Sequence, residues 1–399
     1  MICGLRYKLA RTCAFSFRLA ALLSLVASLV PSASSEPIQL QPAAYVRTNN
    51  SPLNPGGQTI PCVADWNDDG LPDLVVGYQP AFQVAVYLNT GNTTQPVFTN
   101  FTNIQAGGTN IYLPSGGCGS PAPWVCDFDG DGKNDLLVGD GSNGKVYFYR
   151  NINTDADPVL TNGVALLMNG NPLNVSYRAT PYVHDWDDNG LPDLLCGDGN
   201  GYVHWFRNVG TRQSPVYTND LLIQAGGVAV NFGARSTVRV CDWDGDGVKD
   251  LLGAGSDNAA WCRNSSNNAS PALGSPVRLR APFSGVGLAN IDTGYRMRLE
   301  VVDWNQDGVC DVLIGNWDGY LHLYEGYRFA LLGVVPQPGN NFALQWSSAD
   351  FLKYELLCGS TPDSVQTVLA TNLTSAGRTT CWTGQCVEIQ RFYRVRVAR

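Results

Sequence analysis

Histidine is nearly missing from this chain, with three in 399 residues, and there is no Cys-x-x-Cys pair. Together these exclude a zinc centre built from Cys and His. A Ser nucleophile elbow, a His-Glu-x-x-His helix and a phosphate-binding glycine loop are also missing, which removes the common hydrolase and nucleotide-binding signatures. Charged residues make up only 15% of the chain and Lys and Glu are few, so long solvent-facing helices have little to be made from. Abundant instead are 43 Gly, 23 Pro and many Asn and Asp, a mixture that favours turns and short strands.

The first thirty-five residues read as a secretory signal. Arg6, Lys8, Arg11 and Arg18 form a basic start, Leu19 to Val30 an apolar stretch too short to span a bilayer comfortably, and Ala33 and Ser35 fit the positions before a cut at Glu36. Nothing later reaches transmembrane length, so the processed chain is expected outside the cytoplasm with no membrane insertion. Removing four of 26 basic residues and no acid leaves 22 against 34, a net charge of −12. Such an acidic chain is not expected to bind nucleic acid.

A nine-residue segment occurs five times: Asp65 to Asp73, Asp127 to Asp135, Asp185 to Asp193, Asp242 to Asp250 and Asp303 to Asp311. Their first residues lie 62, 58, 57 and 61 apart. Each segment leads into an apolar run such as Leu136-Leu-Val, then a turn and a second strand such as Val146-Tyr-Phe-Tyr149. Each unit is a blade-sized piece of sheet, and stacking such units around a ring buries the faces that one sheet leaves open. The spacing predicts an all-β fold, a five-bladed β-propeller over residues 36–327. The last unit lacks its final strand and Ile38 to Cys62 resembles what precedes each later loop, so the N-terminal strand is expected to close the ring. From residue 328 the repeats stop, and alternating runs such as Phe342 to Trp346 and Phe392 to Val397 predict a small β-sandwich over 328–399.

Each segment places oxygen ligands at positions 1, 3, 5 and 9. They are Asp65, Asn67, Asp69 and Asp73; Asp127, Asp129, Asp131 and Asp135; Asp185, Asp187, Asn189 and Asp193; Asp242, Asp244, Asp246 and Asp250; and Asp303, Asn305, Asp307 and Asp311. Gly at position 6 permits the sharp turn, and position 7 would add a backbone carbonyl from Leu71, Lys133, Leu191, Val248 or Val309. Hard oxygen donors at alternate positions suit Ca²⁺. Seventeen of the 34 acids sit at these positions, and their mutual repulsion calls for a cation; five Ca²⁺ would bring −12 to about −2. An EF-hand is excluded because position 12, its bidentate Glu, is Val76, Val138, Cys196, Gly253 or Ile314 here.

This short loop feeding a strand resembles FG-GAP and VCBS-type repeats, which are similar to the integrin α-chain propeller, and the resemblance covers residues 36 to about 327. The C-terminal stretch resembles the fibronectin-III-like modules found at the tails of exported proteins.

The aromatic at position 2 (Trp66, Phe128, Trp186, Trp243, Trp304) is a candidate sugar platform, but its fixed place in every unit points to packing between blades. His184, His204 and His322 read as structural. A disulfide in the C-terminal module would draw on Cys358, Cys381 and Cys386, whereas Cys126 and Cys241 are expected as buried thiols. The leading function is a calcium-stabilised binding or adhesion module for a carbohydrate or a surface protein. Two alternatives are a polysaccharide-degrading enzyme with a carboxylate pair in the funnel and a structural matrix protein.

Overall fold

A computed structural model of the chain describes residues 37–113, 119–256, 258–329, 331–337, 341–359, 367–375, 377–385 and 392–397. The expected signal segment and Cys386 lie outside the described residues. Among the described residues no helix is long and apolar enough to cross a membrane.

Each repeat folds into an antiparallel sheet whose first three strands are Gly57–Ala64, Asp73–Gln79 and Gln83–Asn89 in blade 1, Ala122–Cys126, Asp135–Gly139 and Val146–Tyr149 in blade 2, and Thr180–His184, Asp193–Gly197 and Val203–Phe206 in blade 3. Blade 4 uses Thr237–Cys241, Asp250–Ala254 and Ala259–Cys262, and blade 5 uses Arg298–Val302, Asp311–Gly315 and Leu321–Tyr324. The first strand of each sheet pairs only with the second and packs against the first strands of both neighbouring blades, so these five inner strands form a closed ring.

The ring is closed as expected. Blades 1 to 4 take their outer strand from the chain that follows, such as Phe98–Asn103, but blade 5 takes it from the N-terminus: Ala44 pairs with Leu323 and Tyr45 with His322. Just before it, Ile38 and Leu40 are buried in the core shared by blades 4 and 5. The hydrophobic core is divided among the five interfaces between blades, and each interface contains one position-2 aromatic: Trp66, Phe128, Trp186, Trp243 and Trp304, all buried. Their role is packing between blades, which removes sheet faces from water as a single sheet cannot.

The axis of the ring is filled. The residue three places before each loop is Cys62, Trp124, Tyr182, Arg239 or Glu300, and these share one register position opposite the second strands. They meet across the axis. The Arg239 guanidinium lies 4.7 Å from the Trp124 ring centroid and 5.1 Å from that of Tyr182, although blades 2 and 4 are not neighbours. It also pairs with Glu300.

Residues 331–337, 341–347 and 379–385 form one three-stranded sheet, and 367–374, 353–359 and 392–397 another. Phe342, Leu344, Trp346, Tyr354, Leu356 and Val395 form a core of their own, giving the small β-sandwich.

Candidate metal centre

Each nine-residue loop joins the inner strand of a blade to its second strand, so all five lie on one face of the ring. The turn is set by glycine at position 6, where φ is +84°, +85°, +85°, +84° and +82° for Gly70, Gly132, Gly190, Gly247 and Gly308. An L side chain there would be strained.

The four side-chain positions divide into two roles. The position-9 Asp is a fully buried clamp. In every loop its Oδ2 accepts the N–H of the position-2 aromatic, as Asp73 does from Trp66 at 3.0 Å. Its Oδ1 accepts an N–H from just beyond the third strand or its last residue, as Asp135 does from Asn151 at 2.8 Å and Asp250 from Asn264 at 2.7 Å. It therefore stitches the loop to the third strand of its own blade. Burial pushes these carboxyls up, to about 6 for Asp73, Asp135 and Asp311 and about 7 for Asp250. The sequence signal for this second role is the Asn at or just beyond the end of the third strand in four units, Asn89, Asn151, Asn208 and Asn264.

The position-1 Asp holds the turn. In four loops its oxygens accept the N–H groups of positions 5 and 6, as Asp242 does from Asp246 and Gly247. The second loop differs: Asp127 Oδ2 takes Arg212, and Oδ1 is buried with no hydrogen-bond partner.

Three of the five loops gather three carboxylates close enough to share an ion: Asp127, Asp129 and Asp135; Asp185, Asp187 and Asp193; and Asp242, Asp244 and Asp246, with oxygens all within 4.8 Å of one another. In the other two loops position 3 is Asn67 or Asn305, and Asn67 donates to Asp69 instead. The donors suit a hard divalent cation, and Asp187 Oδ1, like Asp127 Oδ1, is a buried acceptor without a donor. An arginine also meets each of the three clusters. Arg150 reaches Asp129 at 2.6 Å and Asp131 at 3.0 Å, Arg207 reaches Asp187 at 2.5 Å, and Arg263 reaches Asp244 at 2.6 Å and Asp246 at 3.2 Å. These arginines share one place after the third strand and partly neutralise the loops.

In three of the five units position 8 ties neighbouring blades together. Asn134 donates to the Asp65 carbonyl of blade 1 at 2.7 Å, and Lys249 to the Asp185 carbonyl of blade 3. In blade 5 the residue is Cys310, and it forms a disulfide with Cys241 of blade 4. The expectation of a buried thiol at Cys241 is thereby overturned, because the strand end and the next blade's loop lie side by side. Cys126 is a half-buried free thiol, Cys358 a buried one and Cys381 an exposed one, so Cys358 and Cys381 form no disulfide with each other.

The histidines have structural surroundings. His204 Nδ1 is 2.7 Å from Asp220, and Nε2 is 3.5 Å from Asp198. Burial holds the His184 imidazole down at about 4. His322 packs against the Tyr45 ring at 4.8 Å.

Comparison with curated proteins returned no match. Among solved structures, the chain is similar to one titled a Photorhabdus luminescens Tc holotoxin pore, at 13% identity over 80% of this chain and 16% of that one, with a TM-score of 0.36. It is also similar to a structure titled glycoside hydrolase, at 11% identity over 87% of this chain and 97% of the other, with a TM-score of 0.36. The chain thus spans only 16% of the holotoxin chain. Residues 185–253, from the start of the third loop to the second strand of blade 4, match the FG-GAP-like repeat family. This protein therefore carries an FG-GAP-like repeat within a five-bladed β-propeller.

Proposed function

We propose that the protein is a secreted calcium-binding propeller that acts as a binding or adhesion module for a carbohydrate or a surface protein. One face would be stiffened by Ca²⁺ in the loops, with ligands from positions 1, 3, 5 and 9 and the position-7 carbonyls. The fibronectin-III-like module over 328–399 would serve as an appended spacer. When bound, Ca²⁺ supplies charge neutralisation. The chain's own contribution is the pre-formed turn with its carboxylates already gathered.

The observation that carries this reading is the division of labour between the two faces. The clustered acids lie in the loop face, whereas the opposite face, formed by the turns between second and third strands and the links between blades, exposes aromatic side chains. Tyr112, Tyr202, Tyr295, Trp317 and Tyr320 are all solvent-exposed there. Exposed aromatics grouped on one face are the usual material of a binding surface. An enzyme in the funnel has less support. Glu300 is the only carboxylate on the five inner strands, and it is paired with Arg239 at the axis. A glycan array probed with the full chain, with Ca²⁺ and with EDTA, tests the proposal. Calcium-dependent retention on a defined glycan class is expected. An array and a surface-protein overlay both without retention would overturn it.

A further inference from the structure

The ring mouth on the face opposite the loops is strongly basic. The residue seven places before each loop is Gln58, Ser120, Arg178, Arg235 or Arg296, and the residue two places further on in blade 5 is Arg298. Gln58, Ser120, Arg178 and Arg298 line a small solvent-open cleft at this mouth. Arg298 is 4% exposed. Its one hydrogen bond among the described residues is from Nη1 to the Met297 carbonyl at 3.0 Å. Neither it nor Arg235 or Arg296 has an ion-pair partner among the described residues. Burial and the charges of Arg178, Arg235 and Arg296 pull the Arg298 pKa down to about 9. Cations gathered at one mouth repel one another unless an anion answers them.

The backbone carries a second, independent signal. Gln58, Arg178, Arg235 and Arg296 all have positive φ, +54°, +57°, +68° and +63°. This left-handed region is uncommon for such residues and is kept where the surroundings over-determine it. Here it recurs at four of five equivalent positions, and three of them are arginine. Beside the mouth, Tyr295 and Trp317 are exposed with ring centroids 6.3 Å apart, and the Arg296 guanidinium lies 4.1 Å from the Trp317 centroid.

We propose that this arginine-lined mouth is an oxyanion site that takes the carboxylate or sulfate group of an anionic saccharide, with Trp317 and Tyr295 as the platform beside it. The proposal rests on the carbohydrate reading above and names its ligand class. Guanidinium groups present paired N–H donors that match the oxygens of either group.

Calorimetric titration of the full chain with an oligogalacturonate, a sulfated galactan oligosaccharide and a neutral cello-oligosaccharide of equal length tests it. At least one of the two anionic sugars is expected to bind, to weaken as salt rises and to outcompete the neutral sugar by roughly tenfold or more. Which of the two binds separates carboxylate from sulfate recognition. Arg296→Ala and Arg235→Ala, both at half-buried positions outside the core, are each expected to weaken binding roughly tenfold while the melting temperature of the chain holds. Equal affinity for the neutral sugar, no binding of either anionic sugar, unchanged affinity in both variants, or tighter binding of oligo-aspartate would overturn the proposal. A calcium-dependent array ligand whose binding survives Arg296→Ala would sink this inference and leave the binding-module reading standing.

Discussion

Arg239 of blade 4 and Glu300 of blade 5 form a two-point ion pair at the ring axis, Nε to Oε1 and Nη2 to Oε2, both at 2.7 Å. Both side chains are buried, and Trp124 and Tyr182 cover the guanidinium. Removing one partner strands a buried charge. Glu300→Gln or Arg239→Met alone should therefore cost roughly 3–5 kcal/mol of stability, and the double change Arg239→Met with Glu300→Leu should cost clearly less. Urea unfolding of the three variants checks this, and equal losses in all three would refute it.

Calcium should bind the second, third and fourth loops first. Elemental analysis after dialysis against low Ca²⁺ should find about three ions per chain, and EDTA should lower the melting temperature. Each site contributes roughly 2.7 kcal/mol at a hundredfold excess over its dissociation constant. Asp129→Asn should remove one ion and leave the others bound. Identical melting curves with Ca²⁺ and with EDTA, and no metal retained, would show that the loops are turns held by their own hydrogen bonds.

The Cys241–Cys310 disulfide closes a separation of 69 residues and ties the blade 5 loop to blade 4. Cys310→Ser should lower stability by roughly 2–4 kcal/mol. Peptide mapping without reduction should recover the two cysteines in one fragment. Recovery of both as free thiols would contradict the pairing.

His204 gives a pH dependence whose sign follows from its partners. Burial alone would lower its pKa, but Asp198 and Asp220 outweigh burial and raise it to about 9. With a folded value above the unfolded one of about 6.5, its contribution is complete below pH 6.5 and is lost as pH rises toward 9. The loss should be up to about 3 kcal/mol. His204→Gln should flatten the stability profile between pH 6.5 and 9, and an unchanged slope would rule out the pair as its cause.

Deleting residues 37–45 should open the ring. It removes the strand partner of Leu323 and takes Ile38 and Leu40 out of the core between blades 4 and 5. Losing two buried aliphatic side chains costs roughly 3–6 kcal/mol before the lost strand hydrogen bonds are counted. Hydrogen exchange should show blade 5 losing protection first. Uniform protection across all five blades would argue that closure is not carried by this strand.

What the sequence by itself determined is what repeats locally. Asp at position 1 and Gly at position 6 act within nine residues, and Asp at position 9 reaches only to the third strand of its own blade, so the loop, its turn and the following strand can be read in any one copy. The period of about sixty residues then implies blades, because no sheet of that size buries both faces alone. The position-2 aromatics were legible as interface residues for the same reason. Tertiary structure decided what depends on different blades meeting. Cys62, Trp124, Tyr182, Arg239 and Glu300 occupy one position in the repeat yet differ in type, so comparing the copies marks the position as variable. Only ring closure brings them to one axis, where a cation needs its acid and its aromatic cover. Position 8 is likewise Pro72, Asn134, Pro192, Lys249 or Cys310, and for Asn134, Lys249 and Cys310 the partner lies in the neighbouring blade. The basic mouth follows the same rule: Arg178, Arg235 and Arg296 lie about a blade apart in sequence, and it is the ring that makes their charges act on one another.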